Sequence, residues 1–214
     1  MKEIKNIKNL KFYKKVLIVV DMVNGFVREG ALADKHIEGT IEKQVALIKQ
    51  YKEEGGLVIF IKDKHTLDSV EHDRFGGALH CIDGTEEVEL VDELKQFENT
   101  ENTITLEKNS TSYIWAENKN DRYNFIDVLN GLENVLEIEV VGCCTDICII
   151  NGVLPMMNYF DQKNRRVGVT LYEDAIDTFD MPDVHDRKGY EDAAYMLLKQ
   201  QGAKVKKIGN RKAT

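Results

Sequence analysis

Uninterrupted apolar runs separated by segments of helical periodicity constrain this chain most. Residues 16–21 (VLIVVD) and 57–62 (LVIFIK) do not alternate polar with apolar side chains, so they read as strands buried on both faces. Residues 103–106, 138–142 and 167–172 are shorter runs of the same kind, and 204–208 is a weak sixth. Between them, 37–54, 86–97, 122–132, 146–161 and 188–201 carry apolar residues at helical spacing, clearest at Val88, Leu90, Val91, Leu94 and Phe97. Strands alternating with helices imply βαβ units. The expectation is one α/β domain over 1–214, with a six-stranded, mostly parallel sheet and helices on both faces, and an N-terminal arm over 1–14. Gly55-Gly56 and Gly202 end the first and last long helices. Pro155 is expected to kink or shorten the helix it interrupts. The polar stretch 109–121 reads as a loop, and Trp115 within it suggests contact with a second copy, a homo-oligomer.

A net charge of -8 opposes binding to nucleic acid or to an anionic membrane. Lys2, Lys5, Lys8, Lys11, Lys14 and Lys15 read as a solvated arm, because a membrane anchor needs a large apolar face. The run 16–20 is too short for a membrane span or signal core, and Asp21 interrupts it, so the cytoplasm is the expected location. Cys81, Cys143, Cys144 and Cys148 read as thiols in a reducing compartment. Their spacing is not that of a structural zinc site.

In open parallel sheets, sites form beyond the carboxyl ends of the strands. That edge holds Asp21, Asp63, Lys108 and Cys148. Cys148 follows a strand and opens a helix, where free backbone N–H groups and the helix dipole stabilise a thiolate and could hold an oxyanion. Buried cysteines are more often packing groups, and this is the reading for Cys143 and Cys144. Asp21 is either a turn former ahead of Asn24-Gly25 or a base for the thiol, with Lys108 as the cation that keeps it ionised. Asp63 and His65, two apart in extended chain, point the same way and can share one ion with His80 and a further carboxylate. Such oxygen and imidazole donors suit zinc, iron or manganese.

Together these residues resemble the isochorismatase-like cysteine hydrolases, and among them the nicotinamidases (pyrazinamidases), over about residues 16–205. Asp21-Met22-Val23-Asn24-Gly25-Phe26 is similar to the first-strand motif with its catalytic aspartate, Lys108 to the lysine after the third strand, and Thr145-Asp146-Ile147-Cys148 to the T-D-x-C nucleophile motif. The resemblance implies Asp21, Lys108 and Cys148 as catalytic residues and an oxyanion hole from the N–H groups of Cys144 and Cys148. It also implies a cis peptide between Cys143 and Cys144, and Phe26 packed on a pyridine ring. It implies one divalent ion, zinc ahead of iron or manganese, on Asp63, His65, His80 and Glu71, with His72 or Asp73 as alternatives to Glu71. The implied activity is conversion of nicotinamide to nicotinate and ammonia through a thioester. Hydrolysis of another small amide, a ureido compound or a vinyl ether is the alternative, and a non-catalytic binding protein is the alternative of another class. Two stretches depart from the nicotinamidase pattern: Gly76-Gly77-Ala78-Leu79 lacks the usual Trp or Pro, and Asn109-Ser110-Thr111-Ser112-Tyr113 replaces K-x-x-Y-S-A-F after the lysine.

Overall fold

The computed structural model describes Ile4, Ile7 and residues 9–210. Six strands match the expected runs: β1 (Lys15–Val20), β2 (Leu57–Asp63), β3 (Thr103–Lys108), β6 (Glu137–Cys143), β7 (Gly168–Asp177) and β8 (Lys204–Lys206). Two more, β4 (Glu117–Asn118) and β5 (Tyr123–Asn124), form an antiparallel hairpin on the edge of β3. The sheet therefore has eight strands, not six, in the order β5-β4-β3-β2-β1-β6-β7-β8. Two-residue strands carry no periodicity, which is why β4 was hidden in an apparent loop and β5 in an apparent helix.

The helices are α1 (Asn24–Val27), α2 (Lys35–Glu38), α3 (Ile41–Glu53), α4 (Glu71–Arg74), α5 (Asp92–Lys95), α6 (Phe125–Gly131), α7 (Ile150–Gln162) and α8 (Arg187–Gln200). The segments read as continuous over 37–54 and 86–97 are each broken. Gly39-Thr40 separates α2 from α3, and a 3₁₀ turn at Glu86–Val88 precedes α5. Asn124 caps α6 reciprocally with Asp127. Pro155 does not shorten its helix, because α7 runs on to Gln162. Proline removes the N–H that would bond Asn151 O, and the Ser112 hydroxyl donates to that carbonyl instead at 2.6 Å.

Connections from β1 to β2 to β3 run one way across the sheet, and those from β6 to β7 to β8 run the other. Right-handed crossovers then place helices on opposite faces, with the topological switch point between β1 and β6. Val16 to Val20 are fully buried, as a strand covered on both sides must be. Lys2, Lys5 and Lys8 lie outside the described residues. Before β1 the apolar residues Ile4, Ile7, Leu10 and Tyr13 are buried, with the Tyr13 hydroxyl donating to Asn102 Oδ1 at 2.6 Å, while Phe12 and Lys14 are exposed. Trp115 is exposed. Among the described residues, no helix is long and apolar enough to cross a membrane.

Candidate active site

β1 and β6 converge at the switch point because of a glycine. Gly142 has φ +120°, and a Cβ there would lie 2.1 Å from Val20 O. No side chain fits, so the end of β6 closes against β1. The Cys143 thiol then donates to Asp21 O at 3.1 Å, and the peptide between Cys143 and Cys144 is cis. Asp21, just past β1, donates its N–H to Ile61 O at 2.9 Å. On the other side of β1, Asp63 and Lys108 are paired neighbours at the ends of β2 and β3.

Lys108 Nζ is the hub. It lies 2.9 Å from Asp21 Oδ2, 2.6 Å from Asp63 Oδ1 and 3.5 Å from Cys148 Sγ, with its side chain 1% exposed. Burial disfavours its charge, but the two carboxylates and the nearby sulfur raise its pKa well above the ordinary lysine value. Burial would also raise Asp63, yet the Lys108 charge and the His65 hydrogen bond bring it down to about 2. Asp21 goes the other way: burial, opposed in part by Lys108, pushes it up to about 6. Cys148 stands in a π-helical turn, Thr145–Ile149, ahead of α7 rather than in the first turn of that helix. Its burial pushes the thiol pKa well up, and the Lys108 charge offsets this only in part. The expected stabilised thiolate is therefore not the resting form, and an adjacent base is required.

Asp63 links this group to a second one. Its Oδ2 lies 2.8 Å from His65 Nε2 and 3.5 Å from His80 Nε2, and His65 Nε2 is 3.3 Å from Glu71 Oε2. His80 Nδ1 lies 2.9 Å from Ala78 O, a carbonyl that only accepts, so Nδ1 carries the proton and Nε2 offers a lone pair. Burial further favours the neutral His80 ring. His65 Nδ1 is held by Asn109 Oδ1 at 2.7 Å and Ser69 Oγ at 3.0 Å, which likewise turns Nε2 inward. Burial works against a charged His65, yet the Asp63 hydrogen bond and charge raise its pKa, so the carboxylates draw positive charge to this point. Glu71 Oε2 and both ring nitrogens of His72 are buried without a hydrogen-bond partner. Ligand atoms of Asp63, His65 and Glu71 lie within 4.8 Å of one another, as do those of His65, His72 and His80. Converging imidazole nitrogens and carboxylate oxygens fit a divalent ion such as zinc, iron or manganese. Asp73, one residue on, is exposed.

Both groups open onto one cavity. Its lining includes Phe26, Glu71, Phe75, Thr111, Cys144 and Phe179 together with Asp63, His80, Lys108 and Cys148. The void measures about 370 Å³ out to its mouth. Three aromatic rings, those of Phe26, Phe75 and Phe179, line this slot. Phe26 lies with its ring 5.8 Å from that of His80, and Phe75 stands at 5.8 Å on the same imidazole. Sequence reasoning placed no role on Phe75, Phe179, Asn109 or Ser69. Asn109 adjoins Lys108, but the contact of its side chain with His65 is a product of the fold.

A family model described as an isochorismatase domain matches residues 15–208. Nicotinamidase 1 of Arabidopsis thaliana is 30% identical over 178 residues, which cover 78% of this chain and 70% of that protein. The structure of a nicotinamidase from Bacillus subtilis superposes with a TM-score of 0.71 at 25% identity, covering 91% of this chain and 99% of the other. The pyrazinamidase of Pyrococcus horikoshii, solved in complex with zinc, shares the fold with a TM-score of 0.67 at 23% identity, over 91% of this chain and 99% of its own. The chain belongs to the isochorismatase family, as a nicotinamidase-like hydrolase of amide C–N bonds.

Proposed function

We propose that this chain hydrolyses a pyridine carboxamide, nicotinamide first among them, to the acid and ammonia, with Cys148 as nucleophile. The observation that carries the reading is Lys108, which touches Asp21, Asp63 and the sulfur at once and so joins an acid–base pair to a ligand cluster in one slot. Asp21, with a pKa of about 6, is ionised at neutral pH and basic enough to take the thiol proton. The sulfur electron pair forms a bond to the carboxamide carbon. Backbone N–H groups of Cys144 and Cys148 stabilise the oxyanion. Asp21 then passes its proton to the nitrogen as the C–N bond breaks, releasing ammonia and leaving a thioester. The same carboxylate deprotonates the water that attacks the thioester, and the proton returns to sulfur as the acid departs. Lys108 stays protonated throughout and holds Asp21 beside the sulfur.

Asp63, His65 and His80, with Glu71 or His72, would hold the divalent ion, which supplies a Lewis-acid point for the ring nitrogen. Phe26 would pack on the ring, and Phe75 and Phe179 would complete the walls. Ammonia release from a panel of pyridine carboxamides and ureido compounds, with the metal content of the same sample measured, tests the reading. Turnover of pyridine carboxamides by metal-bearing protein is expected. Turnover of ureido compounds alone by metal-free protein would refute it.

A further inference from the structure

Asp146 lies two residues ahead of Cys148, in the same π-helical turn. Its Oδ2 is 2.8 Å from His185 Nε2, while Oδ1 is buried with no hydrogen-bond partner among the described residues. His185 comes from the connection between β7 and α8, where Met181 and His185 pair as an antiparallel bridge. The other ring nitrogen, Nδ1, lies 3.0 Å from Phe179 O. A carbonyl and a carboxylate both only accept, so each ring nitrogen faces an acceptor. Its two faces are covered as well. The Phe179 ring stacks at 4.0 Å and 22°, and the Tyr190 ring at 4.2 Å and 16°. Phe179 is also a wall of the slot that holds Cys148. One imidazole thus touches the turn that bears the sulfur and the wall that faces it.

The turn needs such a fastening. It is closed by wide bonds, Ile149 N–H to Cys144 O at 3.1 Å and Ile150 N–H to Thr145 O, rather than by a regular α-helical ladder. Its side chains are pinned from the far side instead, Asp146 by His185 and Thr145 by Glu191 of α8 at 3.3 Å. A misplacement of about 1 Å at a nucleophile costs on the order of a hundredfold in rate.

We propose that His185 is a positioning residue: through Asp146 it sets the Cys148 turn, and through its ring face it sets Phe179 as the wall of the slot. This rests on Cys148 being the nucleophile of the proposed amidase. Two variants divide the two roles. His185→Phe keeps a flat ring between Phe179 and Tyr190 and removes both ring nitrogens. His185→Gln keeps a donor toward Asp146 and removes the ring. Alkylation of Cys148 by iodoacetamide, located by mass spectrometry, reads the turn with no substrate present, and kcat and KM for nicotinamide read the rest. In His185→Phe, alkylation and kcat are expected to fall about tenfold or more with KM within about twofold. In His185→Gln, KM is expected to rise by about tenfold with alkylation near the parent rate. Parent-like alkylation and kcat in His185→Phe would overturn the proposal, as would an identical loss in both variants tracking lowered melting temperature. If His185→Phe does not fold, Asp146→Ala, which leaves no buried carboxylate, takes its place with the same expected slowing, and a parent alkylation rate there overturns the proposal equally. A parent chain that alkylates readily but hydrolyses no pyridine carboxamide fails the amidase reading, not this one.

Discussion

Acidifying the solution through pH 6 is expected to switch the chain off at Asp21. Burial raises this carboxyl to about 6 from an ordinary value of 3.8, with Lys108 opposing the rise, Asp63 adding to it and the Cys148 thiol opposing it again. The base must be ionised, so activity is present above the pKa and is lost as pH falls through it. A group at 6 is about 91% ionised at pH 7 and about 9% at pH 5, so kcat/KM falls about tenfold over that interval. An aspartate at 3.8 would lose only about 6% over the same range. The assay is initial-rate ammonia release at substrate well below KM from pH 4.5 to 8, which reports the free protein. Bound metal is measured at each pH, so that protonation of His65 or His80 is not mistaken for protonation of Asp21. A rate that stays flat from pH 7 to 5 with metal retained, or an acid limb centred near 4, would refute the reasoning.

Three further outcomes follow from the same geometry. Cys148→Ala is expected to abolish ammonia release while leaving the circular dichroism spectrum and melting temperature close to the parent's, and measurable turnover at the parent rate would rule out covalent catalysis. Asp63→Asn removes the carboxylate that faces both His65 and His80; purified protein should then carry well under one metal ion per chain by elemental analysis, and an undiminished content would remove Asp63 from the ligand set. Gly142→Ala drives a methyl to 2.1 Å from Val20 O at a φ of +120°; urea unfolding should show a loss of about 3 kcal/mol or more, whereas an unchanged midpoint would mean the two strand ends are not held together as described.

The apolar run 16–20 could hardly be anything but a central strand, and the strand ends at Asp21, Asp63 and Lys108 followed from the same pattern. Other features had no local signature. Glu71 and His72 are consecutive residues of a four-residue helix, and both are buried beside His65, a fact that depends on how α4 docks. The Asp146–His185 contact joins residues 39 apart, and nothing near either one announces it. The helical segment at 37–54 broke at Gly39-Thr40, where the Thr40 hydroxyl turns back to Ile37 O at 2.7 Å.

The chain's own order of residues determined which groups reach the carboxyl edge of the sheet, because a buried parallel strand needs an unbroken apolar run and its end is where polar chemistry resumes. The tertiary structure alone decided their charge states. Desolvation and the distances to Lys108 leave the sulfur a thiol, lift Asp21 toward neutrality and hold Asp63 ionised. Burial and spacing are sums over neighbours from every part of the chain, and no local stretch of sequence contains them.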